Sequence, residues 1–234
     1  MTDLADALDA ALRLLAGPDP ALAGIVGLSL QVSLLAVLLA AIPGLPLGAL
    51  LAVRRFHGRG AVVAVTNAMM GLPPVVAGLV LYLLLSRSGP LGGFGLLFTP
   101  SAMVLAQAVL VAPILVALSR QALEALWEEY EEQLRSFGAG PGQAVRTLLW
   151  EGRFTLLTVL LAGFGRAAAE VGAVMIVGGN IEGYTRTMTT AIALETSKGD
   201  LPLALALGGV LLAVVLAVNG LVQALRGVAQ QGAG

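Results

Sequence analysis

Residues 21–53 read ALAGIVGLSLQVSLLAVLLAAIPGLPLGALLAV and contain no Asp, Glu, Lys or Arg. A helix of about 20 apolar residues crosses the hydrocarbon core of a bilayer, so this stretch is long enough for one span. Its run of Leu, Ala and Val is continuous rather than alternating, which favours a helix over a strand of a membrane barrel. The stretch therefore predicts a transmembrane helix.

The same pattern recurs along the chain. Residues 60–86, 88–119 and 201–225 also lack charge, and residues 154–181 are interrupted only by Arg166 and Glu170. Hydrophobic residues make up 58% of the chain and its mean hydropathy is +0.92, which lies outside the range of soluble domains. We predict an all-α integral membrane protein. Its five transmembrane helices form one domain over residues 21–226, with an N-terminal segment at 1–20 and a tail at 227–234.

The distribution of charge predicts the orientation. The first nineteen residues carry four aspartates against Arg13, unlike the basic start of a secretory signal, so we expect this end outside the cytoplasm. The basic residues then divide eight to four in favour of the cytoplasmic side, as the positive-inside rule requires. The cytoplasmic eight are Arg54, Arg55, Arg59, Arg120, Arg135, Arg146, Arg153 and Arg226, and the outer four are Arg13, Arg87, Arg186 and Lys198. The C-terminus and the loop 119–153 are accordingly predicted to be cytoplasmic.

Composition excludes several chemistries. The chain has no cysteine and one histidine, His57, so thiol catalysis and multi-histidine metal sites are ruled out. Its single lysine, Lys198, lacks the glycine-rich loop of an ATPase, and no aspartate lies within a predicted span. We expect no enzyme activity, no metal, no bound cofactor and no nucleic-acid partner, with lipid as the surrounding medium.

Prolines interrupt three of the predicted spans: Pro43 and Pro46 in the first, Pro73 and Pro74 in the second, and Pro113 in the third. Each removes a backbone donor and predicts a kink or break, which serves either as a packing bend or as part of a moving or pore-lining segment. Five helices enclose a transport pathway poorly, so we predict a homodimer with the pathway at the subunit interface.

The loop 119–153 predicts a helix-turn-helix elbow. Residues 121–137 have an apolar stripe on one face and glutamates on the other, Gly138 suits a helix end, and Pro141 suits the start of a second short helix through Arg146. The stripe consists of Leu123, Leu126, Trp127, Tyr130, Leu134 and Phe137. Interfacial helices that bind lipid prefer Lys and Arg on the polar face, so an acidic face favours a protein partner.

The segment EEQLRSFGAG at residues 131–140 resembles the coupling loop of binding-protein-dependent ABC importer permeases, in which a glutamate precedes a glycine at the spacing of Glu132 and Gly138. Here Gln133 and Leu134 replace the two alanines of that motif, and Leu149-Trp150 replaces a Leu-Pro. The resemblance implies a type I transmembrane subunit that docks on separate ATPase subunits, which use ATP. The implied coupling residues are Glu131, Glu132, Arg135 and Gly138.

A second segment indicates which group of these permeases the chain resembles most. Glu170-Val171-Gly172, Gly179-Asn180-Ile181 and the threonine-rich stretch that follows resemble the oxyanion permeases, and residues 188–200 are most similar to the tungstate permeases. The resemblance implies an extracytoplasmic binding protein that selects the anion, with molybdate and sulfate as alternative cargoes. A secondary anion transporter is the rival class, because broken helices suit one equally well. Such a protein has no use for the acidic elbow.

Two groups of polar residues are candidates for the pathway. Arg166 and Glu170 lie four residues apart on one helical face, and either form a structural ion pair or line the anion route. An outward-facing cluster is expected after them. It either contacts the anion or caps a helix start, and consists of Thr185, Arg186, Thr187, Thr189 and Thr190.

Overall fold

The computed structural model describes residues 20–231, and all regular secondary structure in that range is helical. Nine α-helices follow one another, with a short 3₁₀ helix at Gly92–Phe94: α1 (Pro20–Val53), α2 (Arg59–Met69), α3 (Pro74–Leu85), α4 (Pro100–Ser136), α5 (Pro141–Glu151), α6 (Arg153–Ala168), α7 (Gly172–Gly178), α8 (Met188–Lys198) and α9 (Leu201–Gln231). The predicted N-terminal segment lies, apart from Pro20, outside the described residues, as do the last three residues of the predicted tail.

Within the described part, three helices are long and apolar enough to cross a membrane: α1, α4 and residues Leu201–Gly220 of α9. The number rises to five if α2 with α3, and α5 with α6, each form one broken span. The all-helical membrane fold is thus confirmed, whereas the exact span count and the orientation stay predictions.

The predicted second span is two helices rather than one. It breaks at residues 70–73, where Pro73 precedes α3 and Pro74 occupies its first position. A proline fits there because the first helical turn leaves its N–H groups without intrahelical partners. By contrast, Pro43 and Pro46 lie inside α1 and Pro113 inside α4, so these prolines do not break their helices.

Two further boundaries differ from the expectation. The helix in the predicted span 88–119 begins only at Pro100 and continues to Ser136, so one helix of 37 residues joins the third span to the charged segment that follows it. The predicted span 154–181 is wrong as a continuous helix, because α6 ends at Ala168 and the separate α7 begins at Gly172. At its N-terminal end, α6 follows α5, and the two helices meet at a bend of 77°.

The described chain divides into two compact units. The first contains residues 20–35, 73–107 and 168–220. Its core includes Met188, Ala191 and Leu207, against which Ile25 and Val26 of α1 pack. In the same unit α3 lies directly on α7, and a Cβ added to Gly78 would lie only 2.8 Å from the Cα of Ala173.

The second unit contains residues 36–72, 108–167 and 221–231. Leu115 and Leu123 of α4 and Leu148 of α5 are fully buried there. The hydroxyl of Ser119 is also buried and donates to the carbonyl of Leu115 at 2.5 Å, which satisfies it inside its own helix. This unit carries the elbow.

Candidate functional site

The elbow is closed by hydrogen bonds at both of its helix ends. After α4, Gly138 has φ of +71° and donates to Arg135, while Ala139 donates to Leu134 at 2.9 Å. This pair of bonds is the Schellman arrangement that uses a left-handed residue to end a helix. At the start of α5, the side-chain oxygen of Gln143 accepts from the N–H of Gly140 at 2.9 Å. The predicted roles of Gly138 and Pro141 in the turn are confirmed.

Helix α5 presents most of its surface outward. It runs from Pro141 to Glu151, five residues beyond the predicted end at Arg146, and buries only Ala144 and Leu148. A cavity of about 820 Å³ is lined by residues of this helix alone: Gly142, Val145, Arg146, Thr147, Leu149, Trp150 and Glu151. Trp150 is 66% exposed beside it.

The acidic face of the elbow is exposed as predicted, although part of its charge is neutralised. Glu131 forms an ion pair with Arg135 at 2.5 Å. Two of the four predicted coupling residues are therefore paired with each other. Glu128, Glu129 and Glu132 are exposed and make no ion pair with the part of the chain that the structure describes. The predicted apolar stripe holds at Leu123 and Trp127, which are buried, but not at Phe137, which is 85% exposed.

An arginine stacks between two aromatic rings where the elbow joins α6. The guanidinium carbon of Arg153 lies 4.7 Å from the ring centroids of both Trp150 and Phe154, and its Nη1 donates to the carbonyl of Trp150 at 2.6 Å. Cation–π contacts of this kind contribute about 0.5–1 kcal/mol each at exposed sites. The sequence reading missed this arrangement, although the spacing Trp-x-x-Arg-Phe is its local signal.

A charge network fixes the start of α2 to α4. Arg59 bonds to the carboxylate of Glu124, which also accepts from Arg120 at 2.5 Å, and the Nε of Arg59 donates to the carbonyl of Leu51 at 2.8 Å. The sequence analysis predicted both arginines on the cytoplasmic side but did not pair them with Glu124. No local pattern could reveal a contact between residues 65 positions apart.

Glu170 caps a helix instead of lying within one. Its side chain is buried, with 3% of the residue exposed, and its Oε1 accepts from the N–H of Ala173 at 3.0 Å in the first turn of α7. Its backbone carbonyl accepts from the hydroxyl of Thr189 at 2.7 Å. Because α6 ends at Ala168, the argument that Arg166 and Glu170 share a helical face is wrong, and their pairing stays a prediction.

The predicted outward threonine cluster is buried. The hydroxyl of Thr185 donates to the carbonyl of Gly178 at 2.6 Å and accepts from the N–H of Ile181 at 2.9 Å. The hydroxyl of Thr190 accepts from the N–H of Thr187 at 3.0 Å, across the first turn of α8. These bonds support the alternative reading of the cluster as a capped helix start. The four buried residues are Thr185, Thr187, Thr189 and Thr190.

Arg186 differs from the threonines around it. It is half-buried and lies 3.6 Å from the exposed carboxylate of Glu182, but its Nε is buried without a hydrogen-bond partner in the described chain. The buried Oδ1 of Asn180 also lacks a partner there, and this residue has φ of +49°. The sequence reading quoted Asn180 within its motif but did not rank it as a site residue.

Helices of this length and hydropathy place the chain among integral membrane proteins that cross the bilayer several times. The elbow adds an exposed acidic and aromatic surface to these helices. The chain belongs to the family described as binding-protein-dependent transport system inner membrane component, which matches residues 44–227. The predicted family is confirmed, and with it a multi-pass protein of the inner membrane that works with a separate binding protein.

Three relatives illustrate the similarity. A probable anion ABC transporter permease of Haloferax volcanii is 45% identical over 205 residues, which cover 86% of this chain and 88% of the relative. The tungstate uptake system permease TupB of Peptoclostridium acidaminophilum is 40% identical over 226 residues, covering 97% and 99%. The molybdenum transport permease ModB of Escherichia coli K12 is 34% identical over 185 residues, covering 74% and 80%.

Proposed function

We propose that this chain is the permease subunit of an ATP-driven ABC importer that carries tungstate into the cell. The observation that carries the proposal is the 40% identity to a tungstate permease across nearly the whole of both chains. Molybdate is the second candidate, favoured by the 34% identity to a molybdenum transport permease over a shorter region. Sulfate is the third cargo that the sequence motifs allow.

We infer that the elbow is the surface on which the ATPase subunit acts. Phe137 and Trp150 supply exposed aromatic surface, which is enriched at protein interfaces, and Glu132 supplies an exposed charge suited to the polar rim of one. The hydrogen-bonded turn around Gly138 and the Glu131–Arg135 pair would keep this surface rigid. A rigid elbow can transmit the movement of a docked ATPase to α4 and α6.

The proposed assembly is a homodimer with five spans per subunit, the N-terminus outside and the C-terminus inside. Its pathway is outward-open when the ATPase pair is closed on ATP and inward-open after release. Because the chain has no cysteine, one introduced cysteine would be its only thiol. A membrane-impermeant maleimide should label Ser88→Cys in intact cells and Ser136→Cys only after the membrane is opened. The opposite labelling pattern would refute the orientation.

The buried segment from Glu170 to Thr190 is proposed to support the pathway rather than to select the anion. The hydroxyls of Thr185 and Thr190 are already engaged within the chain, so direct anion contact would require that segment to rearrange. Arg166 and Glu170 remain candidates for the pathway. In this proposal the extracytoplasmic binding protein provides selectivity.

The test is uptake and ATP hydrolysis in liposomes that contain this chain with its cognate ATPase and binding protein, with tungstate, molybdate and sulfate in competition. Tungstate uptake that requires both the binding protein and ATP is the expected result. Preference for molybdate or sulfate would correct the cargo. Uptake without ATP would refute the importer and favour a secondary anion transporter.

The docking role has its own test. Reversing the exposed charge with Glu132→Arg should abolish stimulated ATP hydrolysis while leaving membrane insertion intact. The matched control is Glu182→Arg, because Glu182 is also an exposed glutamate but lies between α7 and α8. Equal activity of the two variants would exclude Glu132 from the interface.

A further inference from the structure

The segment between α1 and α2 is basic, exposed and partly aromatic. Arg54, Arg55 and His57 are exposed, and Phe56 between them is 44% exposed. Neither Arg54 nor Arg55 forms an ion pair with the residues that the structure describes, whereas the nearby Arg59 is engaged with Glu124. The segment therefore presents two guanidinium groups whose charge is not neutralised within the described chain.

Arg55 lines a polar cavity of about 350 Å³ beneath this segment. The other lining residues are Ala52, Phe56, Arg59, Glu124, Trp127 and Glu128. The lining itself carries two arginines and two glutamates, and Arg59 is already bonded to Glu124. Arg54 adds a further exposed positive charge at the edge of the cavity, because it adjoins Arg55. A planar guanidinium suits the oxygens of a phosphate, so the exposed guanidinium groups of Arg54 and Arg55, which form no ion pair with the described residues, favour an anion at this edge of the cavity.

An apolar groove of about 560 Å³ shares Phe56 with the polar cavity. Its lining is contributed by α1, α2 and α4, and Thr66 is its only hydrogen-bonding side chain. The remaining lining residues are Leu47, Leu50, Leu51, Val62, Met69, Val109, Ala112, Pro113 and Val116. One continuous surface thus offers arginines at one end and a groove of hydrocarbon-like side chains at the other.

We propose that this surface binds an anionic phospholipid, with the phosphate at Arg54 and Arg55 and an acyl chain in the groove. A free anion would use only the polar cavity, and a zwitterionic lipid would gain little from two unneutralised arginines. Basic pockets beside membrane helices bind anionic headgroups, and each arginine near an anionic surface strengthens binding by about 1 kcal/mol, or about fivefold. The site would hold the α1–α2 junction against the bilayer.

The headgroup is tested by native mass spectrometry of the full chain in detergent, with phosphatidylglycerol or phosphatidylcholine of the same acyl chains added. We expect retained phosphatidylglycerol and little phosphatidylcholine. Arg54→Gln with Arg55→Gln should lower phosphatidylglycerol retention by about 25-fold, from about fivefold per arginine. The matched control Arg87→Gln removes an exposed arginine elsewhere and should change nothing. Equal retention of the two lipids, or an unchanged double variant, would overturn the proposal.

The groove is tested with Val62→Trp, which fills it from α2. The matched control is Val65→Trp on the same helix, because Val65 is exposed but does not line the groove. Only Val62→Trp should lower lipid retention, and a short-chain phosphatidylglycerol should bind much more weakly than the long-chain lipid. Competition by inorganic phosphate, or loss of binding in both tryptophan variants, would refute a lipid site.

Discussion

Gly138→Ala should loosen the elbow without creating any steric clash. The φ of +71° at this position lies in the left-handed region, where an L-residue with a Cβ loses about 1–2 kcal/mol. A Cβ at Gly138 would have no neighbouring heavy atom within 4 Å, so this conformational cost is the whole effect. The cost corresponds to a factor of about 5–30 in the equilibrium between the closed turn and a frayed one.

Hydrogen exchange measures that equilibrium directly, because the amides of Gly138 and Ala139 exchange only when their bonds to Arg135 and Leu134 open. We expect exchange at these two amides to rise about 5- to 30-fold in Gly138→Ala, in step with the conformational cost.

The matched control is Gly142→Ala, at another exposed glycine with open space around it but outside the left-handed region. It should leave exchange at Gly138 and Ala139 unchanged. Gly138→Asn should give an intermediate increase, because asparagine tolerates the left-handed conformation better than alanine. Identical exchange in Gly138→Ala and Gly142→Ala would show that the left-handed turn does not hold the elbow.

Three substitutions test the first unit by thermal unfolding of the purified chain. Glu170→Ala should destabilise this unit by about 1–2 kcal/mol through loss of the cap on α7. Glu170→Gln keeps an acceptor for the N–H of Ala173 and should cost less. Equal losses of stability in the two variants would exclude the cap. Thr189→Val should cost about 1–3 kcal/mol of stability because the carbonyl of Glu170 loses this donor. Thr189→Ser keeps the hydroxyl and should retain most of the stability. Gly78→Ala should cost about 1–3 kcal/mol because its Cβ meets the backbone of α7, unlike Gly24→Ala, which meets nothing.

Hydropathy and turn chemistry accounted for a definite part of this structure. Charge-free stretches predicted helices because an apolar run must satisfy its backbone groups internally in a membrane. Gly138 and Pro141 located the elbow because left-handed helix ends favour glycine and first turns accept proline. These signals are local and strong, so they needed no knowledge of the neighbouring helices.

The break between α6 and α7 could not be predicted from such local signals. Residues 167–169 are alanines, the best helix formers, so local propensity favours continuing the helix towards Glu170. The structure instead ends α6 at Ala168 and uses the Glu170 carboxylate to cap α7, which packs on α3 through Gly78. Tertiary packing outweighed propensity here. Thr189 likewise bonds to a carbonyl 19 positions away in the sequence, a contact that no local pattern indicates.

Polar groups are used differently in the elbow and in the segment from Glu170 to Thr190. In that segment, the hydroxyls and the Glu170 carboxylate bond to the chain's own backbone, where an unsatisfied buried group would cost about 1–3 kcal/mol. On the elbow, the carboxylate of Glu132 is exposed and makes no ion pair with the described residues. Because the hydroxyls of Thr185 and Thr190 are committed to the scaffold, they are not available to an anion unless the segment rearranges, whereas the Nε of Arg186 has no partner within the described residues.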